Sequence, residues 1–393
     1  MLLPVALNSL KASAQDIQLS QWVMQYVSIP PGTIALTHTT LIDGTGAPAK
    51  RDQTIVITGS TITQVGPSDS AKIPAGARVL DLTRKTVFPG IVGMHEHLYF
   101  AAYVEDHAPT LNQMNYSFPR LYLAGGVTTM RTAGALEGYT DLELKQQIDD
   151  GNEPGPTIHV TAPILDGPSY SLMHHLKDPE EAARTVRYWS EEGAASADVD
   201  DPALKKLFSV LIQHRVAITS TLPVLADYAG DAPSVDPRVL EVLLPESRAS
   251  CLEQRSHMGN PHNPMGAIVE KEMKLEKMFV DTGGTLLAGL DPTGTGCVVA
   301  GFGDQREIEL LVKSGFRPVE AIRIATLNGA QFLNIADKVG TVAVGKQADL
   351  VIVRGDPSQR IEDIENVETV FKAGAGFDAA KLIQSAKAQV GLR

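Results

Sequence analysis

The chain has 393 residues, 43% hydrophobic and 20% charged, a composition that suits a soluble globular protein with one large domain and a smaller companion. A formal net charge of -12 argues against nucleic acid and anionic membrane surfaces as partners, since both select clustered Lys and Arg. No run approaches the roughly 18 apolar residues of a membrane span, and Cys251 and Cys297 stand outside any CxxC pattern, so neither a disulfide scaffold nor a cysteine-rich zinc site is expected.

The first residues, MLLPVALNSLKASA, carry a short apolar run and end in Ala12-Ser13-Ala14, the small-x-small pattern of a signal-peptidase site. Basic residues do not precede the run, so 1–14 reads as the remnant of a signal peptide and predicts a periplasmic or secreted protein. A frayed apolar N-terminus is the alternative, and it predicts a cytoplasmic one.

From 33 to 82 the sequence reads as strands. TIALTHTTLIDGTG, TIVITGSTITQVG and ARVLDLT are rich in Thr, Val and Ile and are separated by Gly-containing turns. A matching piece returns near the end as VGTVAVGKQADLVIVRGD and VETVFKAG. The two predict one composite β-sandwich built from both chain ends, residues 15–86 and 336–393.

Between them, 87–335 alternates strand and helix, the pattern of parallel βα units in a (β/α)8 TIM barrel. The predicted strands are Thr86–His95, Val127–Arg131, Thr157–Ala162, Val216–Thr221 and Thr285–Asp291. Apolar runs of this kind suit strands buried on both faces, and a barrel carries its chemistry at their C-terminal ends. One join breaks the alternation. A helix capped by Asp178 and closed by Gly193 is followed by Ala194-Ala195-Ser196-Ala197 and then by a second helix from Asp201-Pro202, whose Leu204, Leu207, Phe208, Leu211 and Ile212 recur at helical spacing. Something the size of two βα units, roughly 50 to 90 residues by usual barrel length, is missing between Ser196 and Asp198.

The strongest local signal is VFPGIVGMHEHLYF, Val87 to Phe100, an apolar strand that ends in His95-Glu96-His97. Alternation puts residues i and i+2 on one face, so both imidazoles are expected at the barrel mouth. Imidazole suits Zn and neighbouring divalent ions, and two from one strand end make a rigid half-site.

FPGxVxxHxH after a β-rich segment containing IDGTG resembles the metal-dependent amidohydrolase superfamily, within it the imidazolonepropionase-like and Xaa-Pro or Xaa-Arg dipeptidase-like branch. LLAGLDPTGTG, ELLVKSGFRPVEAIRIATLNGAQFL and VGTVAVGKQADLVIV follow in the family's order, so the resemblance runs from about Thr33 onward. It implies a truncated barrel with a β-sandwich and gives Asp291, at the end of the last predicted strand, two roles: metal ligand with His95 and His97, and general base for the attacking water. It also implies one or two divalent ions, zinc first. The family's carboxylated lysine is set in a motif resembling SFKAY after a segment like WSEEGAAS; here Ser196 is followed by Ala197-Asp198, with no lysine. The strand-end histidines of the second metal site are absent too, since His214 lies on a predicted helix.

His174, beside His175 in the loop after the third strand, is a candidate substrate-binding imidazole. His257 and His262 fall in a long segment before the last strand, and His38, His107 and His159 lack partner spacing. The expected activity is hydrolysis of a C–N amide bond in a small molecule, an N-acyl amino acid, a dipeptide or a related amide, that class resting on the resemblance. Cyclic-amide hydrolysis or ring deamination is the nearest enzymatic alternative, and a truncated, inactive product is the alternative of a different class. The resemblance is compatible with a homo-oligomer, although no interface is legible.

Overall fold

A computed structural model of the chain describes residues 18–102, 110–161, 202–230, 235–258, 265–292 and 297–391. The signal-peptide reading of 1–14, the helix from Asp178, the break after Ser196, and His107, His174, His175 and His262 lie outside the described residues, as does the side chain of His257.

The N-terminal strands are β1 (Val27–Ile29), β2 (Thr33–Leu41), β3 (Lys50–Thr58), β4 (Thr61–Pro67), β5 (Arg78–Asp81) and β6 (Lys85–Pro89). The middle of the chain gives β7 (Ile91–Glu96), β8 (Tyr99–Ala102), β9 (Thr110–Gln113), β10 (Val127–Thr132), β11 (Thr157–His159), β12 (Ile218–Ser220) and β13 (Leu286–Ala288). The last three are β14 (Leu350–Arg354), β15 (Val367–Lys372) and β16 (Ala375–Asp378).

Strands from both chain ends hydrogen-bond into one nine-stranded sheet, in the order β1-β16-β15-β14-β6-β2-β3-β4 with β5 paired to β2. The seam is β6, antiparallel to β14 through Phe88 and Val351 and parallel to β2 through Thr86 and Thr40. Ile34, Leu36, Ile55 and Ile57 from one end share a buried cluster with Leu350, Ile352 and Phe371 from the other. Each such side chain contributes about 1.5–3 kcal/mol by leaving water, so neither end can bury its apolar face without the other. The hydrogen bonding that joins the two chain ends is continuous through β6.

The predicted strand Thr86–His95 is two strands. At Gly90 the chain leaves the large sheet, its N–H donating to Asp349 O at 2.9 Å while the N–H of Ile91 donates to Gly126 O at 2.9 Å. A Cβ at position 90 would lie 2.0 Å from Thr128 Oγ1, so only glycine lets the chain turn there.

Beyond Gly90, β7, β10 and β11 form a parallel sheet, and β12 pairs with β13 in a second one. The two meet where the N–H of Asp291 donates to His95 O at 3.0 Å and Gly289 packs on His95. The result is a wall in the order β12-β13-β7-β10-β11, parallel within each of its two sheets, with five strands where five were predicted. Among the described residues this wall does not close into a barrel, and β11 and β12 are its free edges. Helices Phe302–Lys313 and Pro318–Arg323, a π-helical turn at Ile324–Asn328 and helix Gly329–Phe332 follow β13. Ala330 packs with Val92, Met94 and Leu287, and Asn328 Nδ2 donates to Leu286 O at 2.9 Å.

One expectation is corrected outright. Cys251, on helix Pro245–Met258, and Cys297, in the segment after Asp291, form a disulfide with their Cα atoms 5.2 Å apart. Their distance in sequence hid a proximity that only the packing of that helix creates. The amphipathic helix expected from Asp201-Pro202 is present as Pro202–Gln213, with His214 exposed just past its end. No helix among the described residues is long and apolar enough to cross a membrane.

Candidate metal centre

The end of β7 delivers His95, and His97 follows directly on the chain's exit from the strand. Their ring centroids are 5.3 Å apart and the ring planes are nearly perpendicular. Asp291 enters from the end of the β13 segment, with Oδ1 3.3 Å from His97 Nε2 and Oδ2 3.7 Å from His95 Nε2. One ligand atom from each residue lies within 4.8 Å of the other two, the one such group of His, Cys, Asp or Glu among the described residues.

Each member is held by its surroundings. The carbonyl of Gly134 accepts a hydrogen bond from His97 Nδ1 at 3.2 Å, which leaves Nε2 as the ring nitrogen on the Asp291 side. The buried Tyr122 hydroxyl donates to His97 O at 2.9 Å. Arg131, at the end of β10, donates through Nε and Nη2 to Met94 O at 3.0 and 2.6 Å, fixing the peptide that precedes His95. Burial lowers the pKa of His95, against the pull of Asp291, which favours the neutral imidazole that coordination needs.

Asp291 has φ +51°, a left-handed conformation uncommon for a residue with a side chain, and it precedes Pro292, which narrows its choices further. Strain of this kind persists where the surroundings over-determine the geometry, and it clusters at functional sites.

Two neighbours went unnoticed in the sequence. Tyr99 is buried, its ring centroid 4.7 Å from that of His97; burial, then Asp291 and Asp141, push its hydroxyl up, so it stays a neutral phenol. Its spacing, two residues after His97, was the available signal. Glu96, between the histidines, is fully buried, and burial first, then Asp304, raises its carboxyl well above the usual range. It lies outside the group formed by His95, His97 and Asp291.

The donor set fits a divalent ion. Two imidazole nitrogens and one carboxylate are the ligand kinds of catalytic zinc sites that keep a fourth position open. The other described histidines lie apart: His38 is exposed on β2 and bonds Asp52 at 2.8 Å, His159 ends β11, and His214 is at the surface.

An amidohydrolase family profile matches residues 274–375, which carry β13, Asp291, the closing helices and the return to the large sheet. The chain is 26% identical over 381 residues to the imidazolonepropionase of Geobacillus kaustophilus, covering 81% of this chain and 88% of that protein. It is 22% identical over 336 residues to the enamidase of Eubacterium barkeri, covering 78% and 82%. Among solved structures, a Xaa-Pro dipeptidase with bound methionine superposes with a TM-score of 0.58 at 19% identity, covering 88% of this chain and all of that one. Phenylurea hydrolase B gives 0.57 at 20% identity, covering 92% and 99%. At those identities the structural likeness is one of fold.

These matches, with the strand-end motifs, place the chain among hydrolases that act on carbon–nitrogen bonds. The chain is similar to amidohydrolase-family proteins, through the profile over 274–375 and through the imidazolonepropionase and enamidase over most of its length. The imidazolonepropionase alignment runs over 381 positions, more than 81% of a 393-residue chain can supply, so it opens gaps on this chain's side.

Proposed function

We propose that the chain is a metal-dependent hydrolase that cleaves the amide bond of a small N-acyl amino acid, dipeptide or related amide. The observation that carries the reading is the convergence of His95, His97 and Asp291 at the open end of the parallel wall. A divalent ion held there by His95, His97 and Asp291, with zinc suited to that donor set, would supply Lewis-acid polarisation of the substrate carbonyl and a more acidic water. His95 and His97 hold that ion through Nε2. Asp291 orients the attacking water, takes its proton on a carboxylate oxygen and delivers it to the departing nitrogen. Tyr99 walls the site beside His97 and keeps it partly dry. His174 is assigned to substrate binding on its loop position alone.

The two-part organisation, 15–86 with 336–393 around 87–335, belongs to the same proposal, as does a periplasmic or secreted location. A disulfide between Cys251 and Cys297 supports that location, because such bonds persist in oxidising compartments.

A second reading is a chain that keeps the lineage without the activity. Leu207 and Val210, which are 50% and 42% exposed on helix Pro202–Gln213, favour it. Cyclic-amide hydrolysis or ring deamination draws support from the relatives named imidazolonepropionase and adenine deaminase. One experiment separates the three: metal analysis of the purified chain, then turnover of N-acyl amino acids, dipeptides, cyclic amides and aminopurines. Absence of bound metal and of turnover, beside an active version with the segment after Ser196 restored, overturns the hydrolase reading for this chain.

A further inference from the structure

His97 takes its orientation from Gly134, a loop carbonyl that itself needs holding. One bond reaches Gly134 directly, and two more brace the residue that makes it. The N–H of Gly134 donates to Thr161 Oγ1 at 2.9 Å, the N–H of Thr161 donates to Thr132 Oγ1 at 2.8 Å, and the two hydroxyl oxygens are 3.1 Å apart. Thr132 is the last residue of β10 and fully buried, while Thr161 lies two residues past the end of β11.

The register explains why side chains do this work. β10 and β11 pair through Thr129 with Thr157 and Arg131 with His159. The paired register stops there, and two residues further on the N–H of Thr161 turns to a side-chain oxygen. Gly134, with φ +102°, adopts a conformation that L side chains rarely reach. Its N–H thereby meets Thr161 while its carbonyl meets His97 Nδ1 at 3.2 Å. A carbonyl can only accept, so with an ion on Nε2, the nitrogen that lies 3.3 Å from Asp291 Oδ1, the ring proton would sit on Nδ1.

We infer that Thr132 and Thr161 are positioning residues that act through Gly134 to select the His97 tautomer offered to the ion. The inference rests on the metal-site reading above, and it assigns a role to two threonines that contact neither ion nor substrate. The chain Thr161–Gly134–His97 crosses from the edge strand β11 to the ligand strand β7, so it also ties the free edge of the wall to the site.

The test uses the full chain and Co2+ as probe. Wild type, Thr161→Val, Thr161→Ser and Thr132→Val are titrated while Co2+ absorption is followed, with a competing chelator for affinity and thermal melts for stability. Loss of an outer-shell partner weakens metal binding by about 10- to 100-fold. That loss is expected for Thr161→Val, with an altered Co2+ spectrum, and Thr161→Ser is expected to restore both. Thr132→Val carries the same expectation should Thr161→Val not fold. A purely structural role would lower the melting temperature and leave affinity and spectrum of the folded protein at wild-type values, and that result overturns the inference. Nitrogen chemical shifts of His97 in the metal-free, histidine-labelled chain separate the two readings. If wild type binds no Co2+ but its Nδ1–H tautomer is lost in Thr161→Val, the metal-site reading falls and the clamp stands. An unchanged tautomer removes the clamp.

Discussion

The backbone N–H of Asp291 donates to the carbonyl oxygen of His95 across 3.0 Å, so two candidate ligands far apart in sequence are joined through the main chain as well as across the site. Side-chain substitution leaves that link in place, which makes the ligands separable by mutation. Asp291→Asn is expected to keep the fold and lower kcat by about 10^2- to 10^4-fold, the usual range for loss of a general base. His97→Ala should instead abolish stoichiometric metal binding. Metal analysis beside steady-state kinetics checks both, and an Asp291→Asn variant with wild-type kcat would remove the base from the mechanism.

Gly289 lets the strands approach at this junction. A Cβ there would lie 2.4 Å from His95 Cβ and 2.8 Å from its backbone nitrogen. Gly289→Ala is therefore expected to cost about 1–3 kcal/mol by overpacking and to weaken metal binding by moving His95. Gly32, where an added Cβ would meet nothing within 4 Å, serves as control, and Gly32→Ala should stay within about 0.5 kcal/mol of wild type. Urea denaturation of the two variants reads the difference; equal midpoints would contradict the packing argument.

The disulfide closes a loop of 46 residues between Cys251 and Cys297, and the second cysteine follows Asp291 closely. Reduction, or the double change to serine, is expected to lower stability by about 2–4 kcal/mol. Unfolding curves with and without reductant measure it. Curves that coincide would mean that the bond does not form in solution.

Glu276 gives a pH signature. It is buried on helix Met265–Asp281; burial raises its carboxyl to about 8, opposed by Ser220 and assisted by Glu272, and it faces the equally buried Glu307. The folded chain holds this proton where the unfolded chain releases it, so stability is fully present below the ordinary carboxyl range and declines as pH rises toward 8. Glu276→Gln should flatten that decline, gaining stability over wild type at pH 8 and little at pH 4. A variant whose stability falls with pH as steeply as wild type would show that the carboxyl is not the source.

Sequence alone determined what local periodicity can carry. Buried parallel strands announce themselves as apolar runs, which is why all five strands of the wall were legible, and the placement of His95, His97 and Asp291 at strand ends followed from those runs. The β-rich ends were legible because Thr, Val and Ile favour strands wherever they fall. The tertiary structure decided everything that depends on the path between segments. Gly90 divides one apolar run between two sheets because Thr128 packs against it, and Cys251 meets Cys297 because a helix brings them together. The bonds from Thr161 through Gly134 to His97 link three strand ends that no spacing connects. Periodicity reports which face of a segment leaves water; it carries no information about which other segment receives that face, and the candidate metal centre is assembled from such meetings.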